Sequence, residues 1–79
     1  MYWNLINRKG QEFTGKYHYA PSKVYMSRGF YNSLEMEMGG AQWLALIKQN
    51  SVRGMAIVLD DSQQLFTIEG KQGDKIVVI

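Results

Sequence analysis

A chain of 79 residues carrying a net charge of +2 can build one small hydrophobic core and has no room for a second. It contains no cysteine, which excludes disulfide staples and thiolate zinc sites. No run approaches the roughly 20 consecutive apolar residues that span a bilayer, and MYWNLINRKG lacks a secretory pattern, so a cytoplasmic protein without a membrane partner is the expectation.

Tyr2–Asn7 reads as a strand with Trp3 and Leu5 on one face, and Arg8-Lys9-Gly10 as a turn in which glycine supplies positive φ. Gln11–Tyr19 alternates, with Phe13, Gly15, Tyr17 and Tyr19 facing one way and Glu12, Thr14, Lys16 and His18 the other. The two segments predict a first hairpin. Pro21 ends it, since it has no N–H to give a ladder. Lys23–Ser27 is a short third strand, and Arg28-Gly29 turns the chain into Phe30–Met38. There Leu34, Met36 and Met38 alternate with Glu35 and Glu37, the period of a half-buried strand.

Gly39-Gly40 breaks that run and the period changes. Trp43, Leu44 and Ile47 share one helical face with Leu46 at its edge, which predicts an amphipathic helix of about three turns. A competing reading runs one helix from Ser33 to Gln49, with Asn32 and Glu35 at capping-box spacing and Tyr31 and Met36 as a staple. The two adjacent glycines weigh against it, each costing about 0.8–1 kcal/mol relative to alanine inside a helix.

Residues 51–54 read as a connector, and Met55–Leu59 as a central strand covered on both faces. Asp60-Asp61-Ser62 is a turn, Gln64–Glu69 a strand, residues 70–74 another turn, and Lys75–Ile79 a terminal strand bound into the sheet. The expected fold class is α+β: one domain over residues 1–79 in the order β-β-β-β-α-β-β-β. Its sheet is mostly antiparallel and curved, with one amphipathic helix on one face.

Reactive chemistry is sparse. His18 is the only histidine, and no serine or threonine stands in a recognisable nucleophile setting beside it. Asp60-Asp61 lacks the alternating oxygen ligands of a calcium loop and suits a turn better. Glu35 and Glu37 resemble a solvated face more than a glycosidase pair. Gly39-Gly40 lacks the lysine of a phosphate-binding loop. The expectation is a protein without enzymatic activity, catalytic residues, metal or cofactor.

Charge is distributed unevenly. Residues 1–31 hold Arg8, Lys9, Lys16, Lys23 and Arg28 against Glu12 alone, together with eight of the ten aromatics. That basic, aromatic third points to a partner surface formed by Arg8, Lys9, Lys16, Lys23 and Arg28 with Tyr2, Tyr25 and Tyr31. The expected function is a small protein-binding module that docks on a larger, acidic protein and modulates or blocks it. Phages and mobile elements often encode inhibitors of this size, some directed at defence nucleases. A single-stranded nucleic-acid binder would use the same residues, tyrosines stacking on bases and cations holding phosphates, although no RNP-type pattern is present. A homo-oligomer joined through strand 76–79 or strand 2–7 is a third expectation.

Overall fold

In the first half of the chain the expected hairpin Tyr2–Tyr19 and the expected strand Phe30–Met38 are helical, while the expected strand at Lys23 is present. In the computed structural model, which describes residues 1–79, the elements run α1 (Tyr2–Tyr17), β1 (Lys23–Met26), α2 (Arg28–Met38), α3 (Gly40–Gln49), β2 (Ser51–Val52), β3 (Met55–Leu59), β4 (Phe66–Glu69) and β5 (Lys75–Val78). The class is α+β as expected, but with three helices instead of one.

The N-terminal hairpin is corrected to a single helix because tertiary burial follows the helical period. Ile6 and Phe13 lie seven residues apart on one face and are fully buried. Tyr2, Leu5 and Tyr17 flank them at the core margin. Of the alternating set in Gln11–Tyr19, only Phe13 and Tyr17 share that face. Gly10, expected to turn the chain, lies inside the helix. His18 closes α1 in the left-handed conformation, its N–H bonded to the Thr14 carbonyl at 2.9 Å. At the other end the Glu37 carboxylate of α2 accepts from the Met1 ammonium, from Tyr2 N–H at 2.8 Å and from Trp3 N–H at 3.0 Å. A side chain from a neighbouring helix thus fills the cap that Met1 cannot supply.

The expected strand Phe30–Met38 is likewise helix. Ser27 caps it, its hydroxyl accepting from Phe30 N–H at 3.1 Å, and Phe30 and Leu34, four residues apart, enter the core. Neither rival reading of this stretch survives intact. Gly39, at φ 77°, ends α2 and begins α3, so the glycines join two helices. The helix after them is as expected, but its face is rotated. Trp43 and Leu46 are buried while Leu44 and Ile47 are exposed. Trp43 meets Tyr31 edge-on at 4.8 Å, which fixes that rotation.

The sheet is open and mixed, in the order β2-β3-β1-β4-β5. Three of its four pairings are antiparallel, and β1 pairs β3 in parallel. The parallel pair needs a crossover, which α2 and α3 provide. Residues 51–54, expected as a connector, form the β2–β3 hairpin, with Arg53 (φ 54°) and Gly54 (φ 80°) at its tip.

Every other strand residue points into one core. Val24, Met26, Met55, Ile57, Phe66 and Ile68 join Ile6, Phe13, Phe30 and Leu34 of the helices. Phe30 stacks on Phe66 at 4.8 Å, and Phe13 meets Tyr19 at 5.4 Å. Gly70 lies under that pair: a Cβ there would come within 2.6 Å of Phe13 Cζ. The helices all take this side. The other face of the sheet carries no helix, which corrects the expectation that Met55–Leu59 is covered on both sides.

β5 is an edge strand. Gly70 N–H bonds the Asp74 carbonyl at 2.9 Å, and the alternation of antiparallel bonds then turns the N–H and C=O of Lys75 and Val77 outward. The Tyr17 hydroxyl of α1 reaches over this edge to the Lys75 carbonyl, 3.4 Å away.

Candidate interaction surface

The uncovered face of the sheet is built by register. Val58, Tyr25, Thr67 and Val77 stand side by side across β3, β1, β4 and β5, and Ala56, Lys23, Glu69 and Lys75 form the next row. Val58 and Val77 are 37% and 64% exposed, and Ile79 beyond them is more exposed still. The loop between β3 and β4 folds over part of this face. Thr67 is consequently only 4% exposed, its hydroxyl donating to Gln63 Oε1 at 2.6 Å. Loop and strands enclose a groove of about 500 Å³ whose walls include Tyr25, Gln63, Thr67, Lys75, Val77 and Ile79.

Hydrogen bonds hold the groove's polar groups in place. Tyr25 Oη donates to Glu69 Oε1 at 2.9 Å, and Lys75 Nζ lies 3.5 Å from Glu69 Oε2. The bond to Glu69 raises the Tyr25 phenol above its ordinary pKa, with desolvation and the Glu69 and Asp60 charges adding to it. Asp60 accepts from Ser62 Oγ at 2.7 Å, from Ser62 N–H at 3.0 Å and from Gln63 Nε2 at 3.2 Å. The Ser62 hydroxyl, Gln63 and the Ser62 N–H together hold its carboxyl below the usual range. Asp60 therefore behaves as the turn residue expected, and Asp61 pairs with Arg28 at 3.4 Å.

The eight residues singled out from sequence do not gather on one face. Lys23 and Tyr25 share the open sheet. Arg8, Lys9 and Lys16 ride on α1 in the helical layer, where Lys9 bonds Glu12 at 3.1 Å. Lys9 and Lys16 lie seven residues apart on one flank, with Arg8 a further 100° around the helix. Arg28 opens α2. Tyr2 packs edge-on against Phe30 at 5.5 Å and Tyr31 against Trp43, so both rings serve the helical layer.

Gln63, Lys75 and Val77 line the groove and Val58 stands beside Tyr25 on the same face of the sheet, and all four escaped sequence reasoning. The unbroken apolar run Ile76–Ile79 carries no period-two signal that would single out Val77. The continuous apolar run of Met55–Leu59 hid Val58.

His18 is exposed at the end of α1, and Glu35 and Glu37 lie on a helix, with Glu37 spent on the α1 terminus. No three of the chain's histidine and acidic side chains converge on one point. No helix is long and apolar enough to cross a membrane. Comparison of the chain with protein-family models, with curated proteins and with solved structures finds no match.

Proposed function

We propose that the chain is a non-enzymatic binding module that docks the open face of its sheet on a larger protein and modulates or blocks it by covering its surface. One observation carries this reading: all three helices pack on one side of the sheet, leaving Val58, Tyr25 and Val77 on a face that no helix covers. An apolar centre with a polar rim is the anatomy of a protein interface. Lys23 at that rim, which takes part in no ion pair, favours a carboxylate at the partner's contact patch, while Arg8, Lys9 and Lys16 add long-range attraction to an acidic molecule.

Single-stranded nucleic acid is the second reading, favoured by a tyrosine and two lysines on an open sheet. Two features set it behind the first. Tyr25 is the only aromatic ring on that face, and its hydroxyl is anchored to a carboxylate that repels phosphate.

The test is capture of a partner by the tagged chain, followed by its reconstitution with purified components. The wild type and an α3 surface variant, Leu44→Asp, should bind the partner equally. The double variant Val58→Asp/Val77→Asp should lose it by tenfold or more while keeping its fold. Undiminished binding by the double variant would overturn the docking face. In parallel, a labelled oligonucleotide is titrated at two salt concentrations. Steeply salt-dependent binding that Tyr25→Ala abolishes would transfer the assignment to nucleic acid.

A further inference from the structure

A second concavity, on the helical side of the sheet, is independent of the docking face. It occupies about 310 Å³ between α1 and the β2–β3 hairpin, lined among others by Ile6, Asn7, Gly10, Pro21, Arg53 and Met55. Two of these residues are poor local choices. Gly10 lies inside α1, where glycine is the worst helix former but proline, and open space lies where its side chain would be. Arg53 takes the first position of a two-residue hairpin turn at φ 54°, a left-handed site that suits asparagine, aspartate or glycine. Its guanidinium takes part in none of the chain's four ion pairs. A third anomaly adjoins them: Asn7 Oδ1 is buried and has no hydrogen-bond partner. Local rules broken together around one cavity mark a functional site better than any one of them does.

We propose that this cavity binds an N-acylated apolar amino acid through its free carboxylate. Arg53, with its planar fork of donors, takes the carboxylate. The ligand's amide N–H donates to Asn7 Oδ1 once the side-chain amide turns over about its soft terminal torsion and presents that oxygen to the cavity. The apolar side chain lies on Pro21 and in the space above Gly10. The same group could arrive as a free N-acyl amino acid or as the C-terminus of a peptide.

The probes are N-acetyl-leucine, N-acetyl-leucinamide and a hexapeptide ending in leucine, each titrated into the ¹⁵N-labelled 79-residue chain and followed by NMR. N-acetyl-leucine should shift the Asn7 side-chain amide and the Arg53 Nε–H, and its amide counterpart should bind about tenfold more weakly or worse. Comparable affinity for the hexapeptide assigns a peptide terminus, and much weaker affinity assigns the free metabolite. Gly10→Leu fills the space with a better helix former, and Arg53→Asn supplies the residue the turn prefers. Both should keep or raise Tm while reducing binding at least tenfold. Absence of shifts at millimolar N-acetyl-leucine, or equal binding by Gly10→Leu, would overturn the assignment and leave Asn7 to be satisfied by water. Because neither variant touches the open sheet face, failure here leaves the docking assignment standing.

Discussion

Individual residues show where this chain is taut and where it has slack. Gly70 is buried against Phe13 and Tyr19, and an added methyl would collide with both rings. Gly70→Ala should cost about 1–3 kcal/mol, the range for overpacking a closed core, seen as a lower midpoint in urea. Gly15 is the opposite case. It lies in α1 with no positive φ, and a methyl group added there would meet nothing within 4 Å. Gly15→Ala should therefore raise stability by roughly 0.5–1 kcal/mol. The two substitutions are chemically identical, so their opposite signs test the packing directly. The Arg28–Asp61 pair is mostly solvent-exposed on both sides and should contribute little when removed.

Among the elements, α1 depends on α2 for its first turn. Glu37 reaches back to the Met1 ammonium and to the N–H groups of Tyr2 and Trp3, so Glu37→Ala should speed hydrogen exchange in the first turn of α1 more than in its last. Gly39→Ala, forced to φ 77° and ψ 174° where essentially only glycine is at ease, should destabilise by about 1–3 kcal/mol and loosen α3 against α2. These dependencies explain what was legible beforehand. The strands after Gly54 were readable because Met55–Leu59, Phe66–Glu69 and Lys75–Val78 are bounded by turn residues and rich in β-branched side chains. The helix Gly40–Gln49 was readable from its period, but not the face it buries, which Tyr31 decides from another helix. In α1, aromatics and glycines locally favour strands and turns. The fully buried pair, Ile6 and Phe13, lies two helical turns apart, so a short window misses it. The candidate surface was legible at Lys23 and Tyr25 only. The rest of it depends on strand register, which residues distant in sequence determine together.

For the whole molecule, acid is the condition that tests the fold most broadly. Hydrogen bonds hold the Glu37 and Asp60 carboxyls below their ordinary range, Glu37 chiefly through the N-terminal ammonium and Asp60 chiefly through Ser62. Folded-state values below the unfolded ones mean the stabilisation is complete above the usual carboxylate range and is lost as pH falls through the folded values. Tm should therefore drop on acidification from about pH 5 downward. Glu37→Gln should flatten that slope, and an unchanged slope would show that the clamp contributes nothing in solution. The Tyr17 hydroxyl set against the Lys75 carbonyl has a consequence at this scale too. Lys-Ile-Val-Val-Ile combines high β-propensity with a single charge, the makings of a fibril nucleus, and one phenol obstructs the seam along which identical chains would stack. In concentrated solution Tyr17→Phe should shorten the lag before thioflavin fluorescence rises, at nearly unaltered Tm, because the variant leaves the Lys75 carbonyl free to accept from a neighbouring chain.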